Sequence, residues 1–459
     1  MNSRIMDHRM LSANRFYGYA LIIGTASAMQ MAWALSDIWT VVPKGIDYVA
    51  GLGLSDVMNS VLMAITFGIV DLHAAQLAKA EGNGSLVKDY MSYVTALAAV
   101  LAICTVPALV LDRVAPLTLA LVRQPQAAID IAVSNFSVRA VFFPIGVLYL
   151  AVPLALRITG NRNTALLCIG VASLVKLISN VVIHAGDSPL VPIEQAIAYA
   201  TVLAQAVAVA AGFIIILYVR ASAKCKLHKS VFRSAFWDIA HHAPALSAWN
   251  LNDYLSSFAI ILILGQAGTA ILAAANIASK ITILFYRLPQ ACCEAAFVYY
   301  GYAANHVVKV RQAAIAVIIR YSIFPTLVVA GILWFLAPVA VASLSGLNQS
   351  SSLAAAVFIV QTHCIFAVAY IIQHLFAQFL AIERKAKFLL VTSAANTYGF
   401  VIPAALCCFF ILDSWQLMIV CERFSVMLLA LANVFWLASA HIARPRSYFV
   451  RQTPEGASR

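Results

Sequence analysis

The chain has 459 residues, of which 63% are hydrophobic and only 10% charged, with a mean hydropathy of +0.89. A soluble domain is about half apolar and a quarter charged, so a water-soluble enzyme is excluded: too few polar residues are present to cover that much apolar surface. The net charge of +12 would suggest nucleic acid in a soluble protein, but here the basic residues fall in alternate loops between apolar runs, and no nucleic-acid partner is expected.

The charged amino terminus precedes an apolar run too long for a cleavable signal, and this run is read as a retained first span. Hydropathy and loop breakers place spans near 17–42, 54–78, 90–111, 127–155, 164–185 and 192–219. A basic segment at 220–234 follows, then spans near 238–264, 270–303, 313–341, 353–380, 388–411 and 416–442. These bounds predict an all-α polytopic membrane protein of twelve transmembrane helices. Residues 1–219 form one six-helix lobe, 235–443 a second, and 444–459 a tail.

Orientation follows from lysine and arginine, because cationic loops resist translocation. One side carries 21 of the 30, including Arg4, Lys79, Arg157, Lys224, Lys309, Arg384 and Arg446, whereas the other has only Lys44, Arg113 and Arg123. Both termini and the 220–234 linker are therefore expected in the cytoplasm, with the chain in the inner (plasma) membrane and in contact with membrane lipid.

Two sets of six spans around a basic linker suggest duplication. Arg162-Asn163-Thr164-Ala165-Leu166-Leu167 echoes Lys385-Ala386-Lys387-Phe388-Leu389-Leu390 at an offset of 223, and spans two and eight fit a similar offset. Ala32-Trp33-Ala34-Leu35-Ser36-Asp37 echoes Ala248-Trp249-Asn250-Leu251-Asn252-Asp253 at 216.

A charge in mid-membrane costs at least about 2.5–3.5 kcal/mol, so ionisable residues inside spans are the candidates for function. They are Asp37 in span one, Asp71 and His73 in span two, Arg139 in span four, Lys176 in span five and Asp253 in span seven. Lys280, Arg287 and Glu294 follow in span eight and Arg320 in span nine. The three in span eight recur every seven residues and so share a helix face within about 20° per repeat; that face is expected to line a cavity. Arg139 and Lys176 are expected to meet Asp37, and Arg320 to snorkel to the interface.

No phosphate-cradling loop, HExxH or nucleophile elbow occurs, so neither an enzyme activity nor an ATP site is indicated. Most of the nine cysteines lie in apolar segments, where packing is their expected role. The pairs His241-His242, Cys292-Cys293 and Cys407-Cys408 are adjacent on helices and point apart, so no metal site and no cofactor are expected.

Four places resemble the multidrug and toxic compound extrusion (MATE) family, part of the wider multidrug/oligosaccharidyl-lipid/polysaccharide exporter superfamily. Asp37 stands where that family's helix-one acid falls, ahead of Ala50-Gly51-Leu52-Gly53. Phe67-Gly68 followed by Leu77-Ala78-Lys79-Ala80-Glu81-Gly82 resembles the end of helix two. The stretch Leu156-Arg157-Ile158-Thr159-Gly160-Asn161-Arg162-Asn163-Thr164 resembles the LRGxGxTR turn after helix four, with Asn180 at the polar position of helix five. Pro244 and Asp253, with Gly265 and Gly268 beyond, match the spacing of helix seven, where glutamate is usual. Two departures stand out. Lys176-x-x-x-Asn180 replaces an Asn-x-x-x-Asp pair, and Tyr370 stands near the helix-ten acid of some members, leaving His363, Gln373 and His374 as that span's polar groups.

The resemblance implies two pseudo-symmetric lobes forming a V-shaped cavity, and a monomeric antiporter that exports a small organic solute against H+ or Na+ by alternating access. Asp37, Asp253 and Glu294 are then expected to couple the ion. Asp71, Arg139, Lys176, Asn180, Lys280, Arg287, Tyr370 and His374 are expected to line the solute cavity. The intramembrane bases favour a zwitterionic or partly anionic solute. The alternative within the superfamily is a flippase for a lipid-linked oligosaccharide, whose pyrophosphate the same bases would hold.

Overall fold

The computed structural model describes residues 13–82, 86–158, 162–186, 191–220, 227–303, 308–345, 350–383 and 385–442; the expected tail at 444–459 lies outside them. Among the described residues the structure is helical, and twelve elements follow one another. The first half comprises α1 (Ala13–Val41), α2 (Ile46–Gly82), α3 (Leu86–Leu121), α4 in two pieces (Gln126–Val141 and Phe143–Ile158), α5 (Arg162–Ala185) and α6 (Ile193–Arg220). The second comprises α7 (Lys229–Gln266), α8 (Thr269–Ala303), α9 (Val308–Ser345) and α10 in two pieces (Ser350–Ile365 and Ala367–Ile382). It closes with α11, which starts at Ala386–Asn396 and continues through turns to Ile411, and α12 (Trp415–Ile442). The basic segment expected to link the halves over 220–234 is already helical from Lys229 onward.

Eight of these helices are long and apolar enough to cross a membrane alone, and the two bent pairs make ten. The other two, α1 and α7, are long enough at 29 and 38 residues but more polar. They carry Gln30, Ser36 and Asp37, and Asn250 and Asn252, each of them at least partly buried. The outer helices show the opposite pattern. On α5 Lys176 and Asn180 are fully buried, whereas Leu174, Ile178, Val181 and Val182 stand 54–65% exposed, as expected for a helix whose outer solvent is hydrocarbon.

Each broken span has a local cause. In α4 the 62° bend falls at Phe142, where Pro144 has no N–H to continue the ladder. The 54° bend in α10 follows Thr362 and His363, whose side chains bond back to the carbonyls of Phe358 (2.8 Å) and Ile359 (2.7 Å); such back-bonding bends helices. In α11, Pro403 lies between two π-helical turns, Thr397–Val401 and Cys407–Ile411.

The halves repeat one another. Gly45 and Gly268, at the first turn of each half, both take positive φ (121° and 107°), which glycine alone adopts freely, and they are 268 − 45 = 223 apart. The breaks at Phe142 and Phe366 are 366 − 142 = 224 apart. The halves also contact each other reciprocally, α1 against α8 and α2 against α7.

Call the end of the bundle holding Ala13 and Ile442 the near end. There Phe16 packs on Tyr299, Gln76 donates to Asp238 at 2.9 Å, and a Cβ on Gly68 would lie 2.6 Å from the Ser247 hydroxyl and 2.8 Å from the Ala243 carbonyl. At the far end Asn276 donates to the Val49 carbonyl at 2.9 Å and Gln124 to that of Leu262 at 2.6 Å. Both ends are thus bridged between the halves.

Candidate functional site: two charge clusters and a cavity

The first cluster lies inside the first half. Lys176 Nζ sits 2.6 Å from Asp37 Oδ1 and donates to the Ile197 carbonyl at 3.0 Å. Asn180 Nδ2 donates to Asp37 Oδ1 and to Ser36 Oγ, both at 2.7 Å. Lys176 and Asn180 are one helical turn apart and present their ends to the same point on α1. The site is sealed: Asp37 is only 8% exposed. One turn earlier on α1, Trp33 packs on Tyr149 with ring centroids 5.3 Å apart. The ammonium fills the place beside Asp37 that a free cation would need.

The second cluster bridges the halves. Asp56 on α2 accepts from Arg139 on α4 at 2.6 Å and from Lys280 on α8 at 2.5 Å. Arg139 therefore pairs with Asp56, not with Asp37 as expected from the sequence. Asp56 was not among the sequence candidates, because a span starting near 54 puts it at the membrane edge. Helix α2 starts at Ile46, so Asp56 lies ten residues along it, about 15 Å from the helix end at 1.5 Å per residue.

The third feature is a cavity of about 540 Å³ within the second half, with Phe67 of α2 on its wall. Arg287, near the midpoint of α8, reaches Gln290 Oε1 through Nη1 at 3.0 Å, and Gln290 Nε2 donates to the Tyr370 hydroxyl at 2.6 Å. His374 meets the Tyr370 ring edge-on, with centroids 4.4 Å apart. On α12, Glu422 and Arg423 line the same space and pair with each other at 3.1 Å. Neither was a sequence candidate, although both fall early in the expected span 416–442. Trp249, Asn250, Ser256 and Ser257 of α7 also line it.

The remaining candidates divide. The side chains of Asp71 and Asp253 lie outside the described residues. Glu294 is exposed and is not on the described cavity wall, and Arg320 is exposed on α9. The seven-residue row on α8 is therefore split three ways: Lys280 at the bridge, Arg287 at the cavity and Glu294 at an exposed position. No group of His, Cys, Asp or Glu suited to a metal occurs among the described residues.

The sequence matches no protein-family model and no curated protein. The structure, by contrast, is similar to solved transporters. A multidrug resistance MATE family transporter of the MOP superfamily, in its inward-facing conformation, aligns at TM-score 0.73 with 16% identity, covering 92% of this chain and 98% of that one. The outward-facing conformation of such a transporter aligns at 0.70, with 16% identity over 95% and 98%. A MOP superfamily transporter from Pyrococcus furiosus, described as having a binding pocket of reversed polarity, gives the same figures of 0.70, 16%, 95% and 98%. The fold is that of the MATE transporters: an all-α, multi-pass membrane architecture of twelve helices in two pseudo-symmetric lobes.

Proposed function

We propose that this chain is a secondary transporter that exports a small organic solute by alternating access, coupled to inward H+ or Na+, from the inner membrane with both termini cytoplasmic. The observation that carries this reading is the cavity. It lies among membrane-spanning helices and is lined by both aromatic and ionisable side chains, in a bundle whose halves are bridged at each end by contacts that rigid-body rocking would break in turn. Its volume of about 540 Å³ lies within the range of about 300–1,000 Å³ for small-molecule sites. That size, and the Glu422 carboxylate on its wall, favour a free solute over a lipid-linked oligosaccharide.

Ion coupling is assigned to Asp37, Asp253 and Glu294. Since Lys176 occupies the position next to Asp37, the first-half acid can respond only if that ion pair opens, which favours Asp253 in the second half as the main coupling residue. A ligand biases two states only by its differential affinity for them, so ion and solute must compete.

The test is solute efflux from loaded proteoliposomes under an imposed pH or sodium gradient, with wild type beside Asp253→Asn. Flux driven by one gradient and lost in the variant supports the reading and identifies the ion. Undiminished gradient-driven flux in the variant removes Asp253 from it, and no gradient-driven flux of any solute in wild type removes antiport.

A further inference from the structure

We propose that the cavity selects an aromatic organic anion, with Arg287 as its anchor; the inference rests on the transporter reading and specifies its substrate class. The charges on the described wall are Arg287, Arg423 and Glu422. Glu422 and Arg423 neutralise each other at 3.1 Å, which leaves the Arg287 guanidinium as the net charge on the described wall. Among the described residues no carboxylate lies within ion-pair distance of it, and Glu294 acts on it only at longer range. Among them, too, its hydrogen bond is to the neutral Gln290 amide, and its Nε is buried without a partner. A partly buried cation is retained at a cost unless something anionic meets it.

The neighbouring groups are oriented for the same ligand. Because the Gln290 carbonyl oxygen accepts from Arg287, its amide nitrogen must face Tyr370, and it donates to that hydroxyl oxygen at 2.6 Å. The Tyr370 O–H hydrogen is then left to donate in turn. Thr282, one and a half turns before Arg287 on the same helix, presents a second orphaned buried atom, its hydroxyl. A guanidinium and two hydroxyls thus line one cavity as available donors, the groups an acidic oxygen pair requires. The rest of the ligand meets Phe67, Trp249, Tyr254, Tyr286 and Phe366, so a flat aromatic body suits the walls.

The test uses three probes of one shape and different charge: 2-naphthoate, 2-naphthylmethanol and 2-naphthylmethylammonium. Binding to the full-length protein in nanodiscs is followed by tryptophan quenching and by thermal shift. 2-Naphthoate is expected to bind at least tenfold tighter than either analogue. Arg287→Ala should abolish that preference, Arg287→Lys should keep part of it, and Tyr370→Phe should weaken it severalfold. If Arg287→Ala does not fold, the lysine and Tyr370→Phe variants carry the comparison. Equal binding of the three probes overturns the proposal, as does a preference for the ammonium that Asp253→Asn removes and Arg287→Lys leaves intact. Flux in the same proteoliposomes separates the two readings. Tight, Arg287-dependent naphthoate binding without any flux sinks transport and keeps the site. Flux of the ammonium that ignores Arg287 sinks the site and keeps transport.

Discussion

Asp56 on α2 and Lys280 on α8 form an ion pair between corresponding helices of the two halves. They are 224 residues apart, one more than the interval of 223 between Gly45 and Gly268, which precede these helices. Near-equivalent residues meet close to the pseudo-twofold axis, as at the centre of an isologous dimer interface. Arg139 belongs to one half only, so it binds Asp56 from the side and breaks the symmetry. If the halves part at this end, Asp56 keeps Arg139 and Lys280 loses its carboxylate.

Asp56→Asn is therefore expected to be costly, since it strands two cations that are 12% and 15% exposed. Removing one partner of a buried pair typically costs about 3–5 kcal/mol, and the partial exposure places this site near the lower figure. The charge swap Asp56→Lys/Lys280→Asp should not rescue, because it sets an ammonium beside Arg139. Melting temperatures of the detergent-solubilised variants check this; recovery in the swap would show that Arg139 is not part of the cluster.

The sealed Asp37–Lys176 pair makes a different prediction. Lys176→Met leaves a buried carboxylate with only Asn180 and Ser36 near it, and Asp37→Asn leaves a buried ammonium. The double variant buries neither, so it should melt above both singles, with a coupling of more than about 1 kcal/mol as found for groups in contact. Additive losses would contradict the pairing.

Glycine positions discriminate between tight and open packing. A Cβ on Gly68 meets the Ser247 backbone nitrogen at 2.7 Å and the Ala243 carbonyl at 2.8 Å, neither of which can rotate away. Gly68→Ala should force α2 off α7 and destabilise by about 1–3 kcal/mol. Gly170 has nothing within 4 Å, so Gly170→Ala should be neutral or stabilise by up to about 1 kcal/mol through helix propensity. Thermal unfolding of both variants side by side is the check.

Topology gives a fourth expectation. Fluorescent protein fused after Arg459 should fluoresce, and alkaline phosphatase there should be inactive; alkaline phosphatase inserted after Lys44 should be active. The reverse pattern would invert the orientation drawn from the basic loops.

The sequence reveals the spans and the halves because lipid demands long apolar runs, and the runs around α5 and α9 meet that demand on their own. It also reveals Asp37, Lys176 and Asn180, whose spacing of four residues on α5 aims both polar ends at one partner. Asp56 escapes for a physical reason: it sits in Gly51-Leu52-Gly53-Leu54-Ser55-Asp56, a stretch that reads as a loop edge but is helical from Ile46 because Gly53 lets α8 approach to 2.8 Å of its missing Cβ. Such contacts between distant helices leave no local trace. The same holds for Glu422 and Arg423, adjacent residues whose shared position on a cavity wall depends on where α12 lies against α10. The row Lys280, Arg287, Glu294 misleads for the converse reason: a common helix face does not imply a common neighbour when the helix is 35 residues long.

The contact near the pseudo-axis acts as a latch. Arg139 secures the Asp56 carboxylate to its own lobe, and Lys280 is the member that lets go. The strength of the Asp56–Lys280 bond therefore sets how often the lobes separate at this end.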